Sequence, residues 1–335
     1  MSRRLFWLSI PFREAFTTAA GTVKARDLVV LRVQDTDGAV GYGEAAPFEP
    51  YDGVSVGAVA RVLQERMTPT AYPQVHTADE MAFLDLESRR MGTAIAELGA
   101  DTVAVNFTLA GATPEDVASS AAAARIDGYD CFKLKVGLSD DEARVAAVRD
   151  AIGADALLRL DANGAWTPAD AVARIERLAG YGLEFVEQPC VTLEDLAAVR
   201  RACSVRIAAD ESVQSADDVR SATRAEACDV VSIKLASMGG VSAAQRAIEA
   251  ARAAGIEPYV SSTLDGPWGI AAGLQLASAE GISLHCGLAT LGLFDAAIAR
   301  VLPSPKGGRM EVPSGPGLGV DVPEEAIREV LIQEL

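Results

Sequence analysis

Five charged residues recur at nearly even intervals along the chain, each at or just after the end of a short apolar run. The intervals are 26, 26, 23 and 24 residues, and the residues are Lys135, Asp161, Glu187, Asp210 and Lys234. One strand, one helix and two turns take up about this length of chain, so the spacing predicts a (β/α) barrel. Because the carboxyl ends of barrel strands converge on one mouth, we expect three carboxylates and two ammonium groups to meet there.

The three acids follow apolar runs in the segments LRLDANG, VEQP and IAADE. Each acid could instead cap the helix that comes after it. Three carboxylates at successive strand ends repel one another unless a cation lies among them, and hard oxygen ligands suit Mg²⁺ or Mn²⁺. The sequence therefore predicts a Mg²⁺ site, with Mn²⁺ as the alternative ion, formed by Asp161, Glu187 and Asp210.

Lysines flank the acidic strands on both sides. Lys133 and Lys135 alternate on one strand, so both face the same side, which in a barrel can be the lumen. Two neighbouring ammonium groups lower each other's pKa, and burial acts in the same direction, which favours a neutral base; two solvated lysines are the alternative. Lys234 closes the apolar run VVSIK, where an unpaired ammonium group is costly without nearby anions. The arrangement fits proton abstraction next to a carboxylate, with Mg²⁺ stabilising the enediolate.

The elements that must position these residues fall into two parts. Strand-like alternation up to about residue 50, followed by helical patterns up to 99, predicts an α+β domain over residues 1–100. Residues 101–302 alternate between strand and helix patterns, and the tail from about 303 to 335 is expected to add a short strand and a final helix that pack on the first domain. The eight expected barrel strands are 103–107, 131–136, 157–161, 184–187, 206–210, 230–234, 258–262 and 282–286.

Taken in order, the motifs KLK, DANG, VEQP, ADES and SIKLASMGG resemble the enolase superfamily, specifically its muconate-lactonizing-enzyme subgroup. The resemblance covers nearly the whole chain. It implies a modified (β/α)8-type barrel, (β/α)7β, with an N-terminal α+β capping domain that the C-terminal tail completes. It implies that Lys135 and Lys234 are the acid/base residues. The implied metal ligands are Asp161, Glu187 and Asp210, and the implied supporting polar groups are Lys133, Asn163 and Glu211.

Two later segments, residues 261–273 and 285–290, are similar to o-succinylbenzoate synthases of this subgroup, which dehydrate a cyclohexadiene carboxylate in menaquinone biosynthesis. Dipeptide epimerases of the subgroup usually carry an Asp-x-Asp pair at the eighth strand, where this chain has His285-Cys286-Gly287. The resemblance implies a Mg²⁺-dependent lyase or isomerase with a small-molecule carboxylate substrate. The activity it favours is that of an o-succinylbenzoate synthase. N-succinylamino acid racemase, dipeptide epimerase and muconate cycloisomerase are the alternatives.

Two interpretations of a different kind stay open. A Schiff-base aldolase would use Lys135 or Lys234 and would need no metal. A barrel that only binds a ligand would keep the fold without the reaction.

Residues 14–26 are similar to a loop that closes over the substrate in racemases and epimerases, although an ordinary surface loop would look the same. The candidate substrate contacts, on this loop and around the expected mouth, are Phe16, Thr18, Lys24, Tyr51, Ser262 and Asp265. Trp268 and His285 either line the mouth or pack in the core.

Composition narrows the partners. The formal net charge of −17 over 335 residues opposes binding to nucleic acid or to an anionic membrane surface. The five cysteines form no CxxC pair and are expected to be reduced and mostly buried. Pro11, Arg13 and Glu14 interrupt the only signal-like start, and no apolar run is long enough to span a membrane. We expect a cytoplasmic protein, and a homo-oligomer stays open.

Overall fold

The computed structural model describes residues 1–18, 21–67, 71–109, 111 and 113–335, with the side chains of residues 16–18 and 21 outside that description. The chain begins in a four-stranded antiparallel sheet, whose strands are β1 (Ser2–Thr18), β2 (Gly21–Gln34), β3 (Val40–Ala45) and, from the far end of the chain, β13 (Leu331–Glu334). Their order is β13-β1-β2-β3. The first and last segments of the chain therefore share one sheet.

Three helices follow this sheet: α1 (Glu49–Asp52), α2 (Val56–Glu65) and α3 (Pro73–Met91). The glycines of β3 allow α3 to pack directly on the sheet, because a Cβ at Gly41 or Gly43 would overlap the backbone of α3. The helical pattern expected up to residue 99 ends earlier, since Gly92 takes a left-handed conformation at φ 70° and caps α3. The opposite face of the sheet, including Leu8, joins the core of the barrel helices.

Parallel strands form the second part, as a seven-stranded sheet that follows chain order. Its strands are β5 (Phe107–Leu109), β6 (Cys131–Lys135), β7 (Leu157–Asp161), β8 (Leu183–Glu187), β9 (Ile207–Ala209), β10 (Val230–Lys234) and β11 (Glu257–Ser261). The helices that alternate with them are α4 (Pro114–Ile126), α5 (Asp141–Ile152), α6 (Pro168–Leu178), α7 (Leu193–Ala202), α8 (Ala216–Ala225), the single turn α9 (Leu235–Met238), α10 (Val241–Ala253) and α11 (Pro267–Ala279). The predicted α/β fold class, a curled parallel sheet capped by an antiparallel one, is confirmed.

The first and eighth expected barrel strands differ from the prediction. Residues 103–107 do not form one strand, because β4 (Thr102–Ala104) pairs antiparallel with β12 (Arg309–Glu311) instead of continuing into β5. The eighth strand is reduced to two isolated parallel bridges, Val105 with Cys286 and Ser261 with Gly287. These bridges still connect both edges of the seven-stranded sheet, so they close the ring.

The tail also ends differently from the expectation. After α12 (Glu324–Glu329) the chain forms β13 rather than ending in a helix. β13 pairs with β1, with Glu334 opposite Phe6. The division of the chain into domains near residues 100 and 303 stays a prediction.

The described cysteines are all free, and four of the five are buried, as predicted. None of the helices in the described ranges combines the length and the apolar character that crossing a membrane requires.

Candidate functional site

The carboxyl ends of β6 to β10 bring the predicted charged residues together. In the register of the parallel sheet, Lys135 lies beside Asp161, and Asp161 lies beside Glu187. Asp210 follows the last residue of β9, and Lys234 ends β10. Parallel strands of similar length end at one edge, which is why residues up to about a hundred positions apart meet there.

The acids at this edge are buried and paired with lysines. Asp161 and Glu187 are 0% exposed and Asp210 is 2% exposed. Lys133 Nζ lies 3.1 Å from a carboxylate oxygen of Asp161 and 3.1 Å from one of Glu187. Lys135 Nζ lies 2.6 Å from Asp161, and Lys234 Nζ lies 2.6 Å from Asp210. The site is thus an alternating cluster of ammonium and carboxylate groups.

The pKa of Lys133 corrects one expectation from the sequence. Burial lowers the pKa of this ammonium group, but the negative charges of Glu187 and Asp161 outweigh burial and raise the pKa well above its ordinary value. Lys234 behaves alike: burial lowers its pKa, but the negative charges of Asp210, Glu211 and Glu187 together outweigh burial and raise the pKa. The prediction that Lys133 has a lowered pKa is wrong in this arrangement, because the nearest charges are carboxylates rather than Lys135.

The carboxylates respond to the same balance. Burial raises the pKa of Glu187, and the charge of Asp161 adds to that effect. Glu211, one residue beyond Asp210, is raised to a pKa of about 7 by burial and then by Asp210. Its Oε2 atom is buried and has no hydrogen-bond partner. The carboxylates of this cluster therefore carry negative charge that the three lysines do not fully compensate.

The donor set fits Mg²⁺ in chemistry, although its carboxylates point to lysines. Among the described residues, no group of three His, Cys, Asp or Glu side chains is arranged to hold a metal ion. The acids are nevertheless hard oxygen donors at the ends of three successive strands, and after burial it is the repulsion of Asp161 and Asp210 that raises the pKa of Glu187. A divalent cation would relieve that repulsion, with Asp161, Glu187 and Asp210 as its ligands.

Asn163 links one lysine to Glu211. Its Oδ1 atom accepts from Lys135 Nζ at 3.0 Å, and its Nδ2 atom donates to Glu211 Oε1 at 2.8 Å. The backbone of Asn163 is left-handed at φ 45°, a conformation that asparagine tolerates better than most residues. The loop after β7 therefore brings Asn163 between Lys135 and Glu211.

A cavity of about 540 Å³ opens above this cluster. Lys133, Lys135 and Lys234 line its barrel side. Tyr51, on α1, lines it from the antiparallel part, with its hydroxyl donating to Asp210 Oδ1 at 3.1 Å. The cavity is therefore built from both parts of the fold.

Only some of the predicted substrate contacts line the cavity. Tyr51 and Ser262 line the cavity, and the hydroxyl groups of Ser262 and Thr290 lie 3.1 Å apart. Asp265 does not line it: this carboxylate is 3% exposed and accepts hydrogen bonds from the backbone N–H and hydroxyl of Thr263. Lys24 is exposed on β2 and is not part of the described cavity lining. The side chains of Phe16 and Thr18 lie outside the described part of the chain.

Sequence reasoning missed several residues of the site. Gln188 supports two loops, because its Oε1 atom accepts from the backbone N–H of Asp210 at 2.8 Å and its Nε2 atom donates to the Cys190 carbonyl at 2.8 Å. Its position directly after Glu187 in VEQP was the available signal. Gln188 is not part of the cavity lining; the lining residues that the sequence did not single out are Phe48, Pro50, Thr108, Gly137 and Ala165, whereas Ser261, Thr263, Leu264, Gly287 and Thr290 lie in the two segments that it did.

Trp268 and His285 pack away from the cavity. Trp268 is 1% exposed and stacks on Tyr42, with 5.8 Å between the ring centroids. His285 Nε2 lies 2.8 Å from Asp130 Oδ1, before the start of β6. The sequence allowed both residues either to line the mouth of the barrel or to pack against other residues, and the structure supports packing.

Comparisons with known proteins agree with this geometry. Residues 116–326 match the family model described as enolase C-terminal domain-like. The chain is 43% identical over 248 residues to an o-succinylbenzoate synthase of Thermobifida fusca strain YX, a match that covers 71% of this chain and 75% of the relative.

Solved structures give the same picture. The fold is similar to 2-chloromuconate cycloisomerase from Rhodococcus opacus 1CP, with a TM-score of 0.93, 25% identity and coverage of 99% of each chain. It is also similar to a dipeptide epimerase from Enterococcus faecalis V583, solved with Mg and the dipeptide L-Leu-L-Tyr, with a TM-score of 0.86 and 28% identity, covering 96% of this chain and 99% of the other.

Proposed function

Because this chain belongs to the enolase superfamily, we propose that it is a Mg²⁺-dependent enzyme that removes the proton α to a substrate carboxylate, and that it acts as an o-succinylbenzoate synthase. The observation that carries the proposal is the pair of lysines, Lys135 and Lys234, which line one cavity from β6 and β10 above three buried carboxylates. The o-succinylbenzoate synthase of Thermobifida fusca supports the choice of reaction.

Lys135 is the proposed base. Its side chain keeps 16% exposure, against 8% for Lys234, so more of it is accessible to a substrate. Asp161 and Asn163 orient the Nζ atom of Lys135 through contacts of 2.6 Å and 3.0 Å. Lys234 is held by Asp210 and by the ring of Tyr51, and it would place a positive charge on the other side of the substrate.

Mg²⁺ held by Asp161, Glu187 and Asp210 would stabilise the negative charge that develops on the substrate carboxylate when the α proton leaves. The neutral amine of Lys135 would take that proton and then give it to the hydroxyl group on the neighbouring carbon, which would leave as water, so that the dehydration is complete and the lysine is neutral again. The cavity walls shield the reacting lysine from bulk water, which strengthens its interaction with charged groups.

The lining of the cavity favours dehydration over epimerisation of a dipeptide. Among the described lining residues, Glu211 is the one carboxylate, and Asn163 already accounts for one of its oxygen atoms. At the position of the eighth strand, Gly287 and Thr290 offer no negative charge to a substrate ammonium group. Phe48, Leu264 and the hydroxyl groups of Ser262, Thr263 and Thr290 also line the cavity, and this apolar and hydroxyl-bearing surface suits the carbon atoms of a ring.

A product assay tests the proposal. The protein with Mg²⁺ is incubated with the cyclohexadiene carboxylate substrate, and formation of aromatic o-succinylbenzoate is followed by ¹H NMR. N-succinylamino acids, dipeptides and muconate are incubated in parallel in ²H₂O. Deuterium at the α carbon of one of these, without the aromatic product, would assign a racemase or epimerase, and a lactone from muconate would assign a cycloisomerase. Absence of exchange and product with all of them would favour a barrel that only binds a ligand.

A small-molecule carboxylate is thus the proposed partner, and the cytoplasm is the proposed location.

A further inference from the structure

One buried arginine joins the antiparallel sheet to the barrel. Arg26 lies on β2 and is 2% exposed. Its guanidinium Nε atom donates to the carbonyl groups of Thr263 and Leu264, each at 3.2 Å, in the loop after β11. Its Nη2 atom donates to the carbonyl of Ala46 at 2.8 Å, and Nη1 donates to those of Asp27 and Pro47. These residues lie up to 238 positions from Arg26, so the contact exists only in the folded chain.

Both segments that Arg26 binds continue into the wall of the cavity. Thr263 and Leu264 line it from the barrel, and Phe48, which follows Pro47, lines it from the other side. The guanidinium carbon also lies 4.9 Å from the centroid of the Phe48 ring. Leu264 is left-handed at φ 61°, a costly conformation for this residue unless its surroundings hold it.

We propose that Arg26 is a positioning residue that sets the distance between these two walls of the cavity. Through this distance it sets the affinity for the part of the substrate that lies away from the proposed metal ligands. We call Arg26 with the carbonyl groups of Ala46, Pro47, Thr263 and Leu264 the carbonyl clamp. A rigid planar guanidinium fixes five acceptors at once, whereas a lysine has three donors on one flexible atom. Lys135 does not depend on the clamp, because β6 carries it; Lys234 is carried by β10 and paired with Asp210, and only its contact with the ring of Tyr51 involves the segment after Pro47.

Two buried acids, Asp265 and Glu44, act electrostatically on Arg26 and raise its pKa against the larger opposite effect of burial. Glu44, on β3, is 2% exposed and accepts from the backbone N–H groups of Gly266 at 2.7 Å and Gly269 at 3.2 Å, at the start of α11. Asp265 is buried beside the same loop. The loop after β11 is therefore tied to the antiparallel sheet at both its carbonyl and its N–H groups. Sequence reasoning proposed Asp265 as a substrate contact; the structure places it in this support instead.

The test compares Arg26→Lys and Arg26→Met with a matched control. Arg149 also donates to carbonyl groups only, those of Gly153, Ala156, Tyr181 and Gly182, but it lies at the end of α5 away from the cavity. Amide hydrogen exchange is measured for all variants, and KM and kcat are measured for formation of o-succinylbenzoate. If Arg26→Met does not fold, Arg26→Lys decides the question, because it keeps the buried positive charge.

We expect faster amide exchange in both 46–51 and 263–266 in the Arg26 variants and unchanged exchange there in Arg149→Met. KM should rise about tenfold, with kcat within about threefold of the wild type, since the walls contribute binding rather than chemistry. Unchanged exchange in both segments, or lower thermal stability with wild-type KM, would overturn the proposal. The kinetic part rests on the proposed function and the exchange part does not, so inactivity of the wild type with this substrate would refute only the proposed function.

Discussion

The ring of Tyr51 covers the ammonium group of Lys234, with Nζ 3.9 Å from the ring centroid. The hydroxyl of the same tyrosine donates to Asp210. Tyr51 belongs to α1, before the barrel begins, so the antiparallel part contributes a contact to both a proposed acid/base residue and a proposed metal ligand. That part therefore completes the site instead of only covering it.

Two substitutions of Tyr51 separate these contacts. Tyr51→Phe keeps the ring over Lys234 and loses the hydrogen bond, so kcat/KM should fall about tenfold. Tyr51→Leu loses both contacts and should cost at least about threefold more, the range of a cation–π interaction. Steady-state kinetics measure both effects, with Tyr181→Phe as the control. Wild-type kinetics for Tyr51→Leu would show that the contact has no role in the reaction.

Lys135→Ala should reduce kcat by at least about a thousandfold, because a positioned general base contributes a factor of this order. The fold should remain intact, since neighbouring strands hold β6 through backbone hydrogen bonds. Circular dichroism checks the fold, and Lys306→Ala, at an exposed lysine far along the chain, is the control. Substantial turnover by Lys135→Ala would remove this residue as the base.

Removal of the metal should abolish activity. Treatment with EDTA should stop turnover and added Mg²⁺ should restore it, whereas borohydride should trap no substrate adduct. The double variant Asp161→Asn with Glu187→Gln should bind Mg²⁺ at least about tenfold more weakly by calorimetry, since two anionic ligands are lost. Asp130→Asn is the control. Activity in EDTA together with a trapped adduct would favour the Schiff-base aldolase, and unchanged Mg²⁺ affinity would contradict the assigned ligands.

The stability of the protein should depend on pH through Glu44. Burial, and then the charge of Asp265, raises the pKa of Glu44 from 4.5 to about 8, against the opposing effects of Arg26 and two backbone N–H groups. An acid whose pKa is higher in the folded than in the unfolded state stabilises the fold fully below 4.5, and this contribution is lost as pH rises through about 8.

Glu44→Gln should remove this dependence. The difference in free energy of unfolding between wild type and variant should therefore change steadily between about pH 5 and pH 8. The wild type should become less stable relative to the variant as pH rises. Urea unfolding at several pH values measures it, and Glu311→Gln, on the exposed side of β12, is the control. A difference that is constant across this range would contradict the assigned pKa.

Local sequence was enough to place most strands and their ends. Apolar runs closed by a single charged residue, such as the run that ends at Asp161, predicted parallel strands and the edge where their side chains meet. This works because a buried strand must be apolar, so a charge marks the point where it leaves the core. The reduced eighth strand was not predictable in this way, because its isolated bridges join Cys286 and Gly287 to Val105 and Ser261, which are distant in sequence.

The sequence by itself determined which chemical groups gather at the strand ends: three carboxylates, their lysines and Asn163. Only the tertiary structure decided their charge states and supports. Whether Lys133 has a raised or a lowered pKa depends on whether Glu187 or Lys135 is nearer. Asp265 is buried in the loop after β11 and does not line the cavity. The contact of Arg26 with Thr263 joins residues 237 positions apart. Periodicity reports only neighbours within an element, whereas distances between elements set the electrostatic energies.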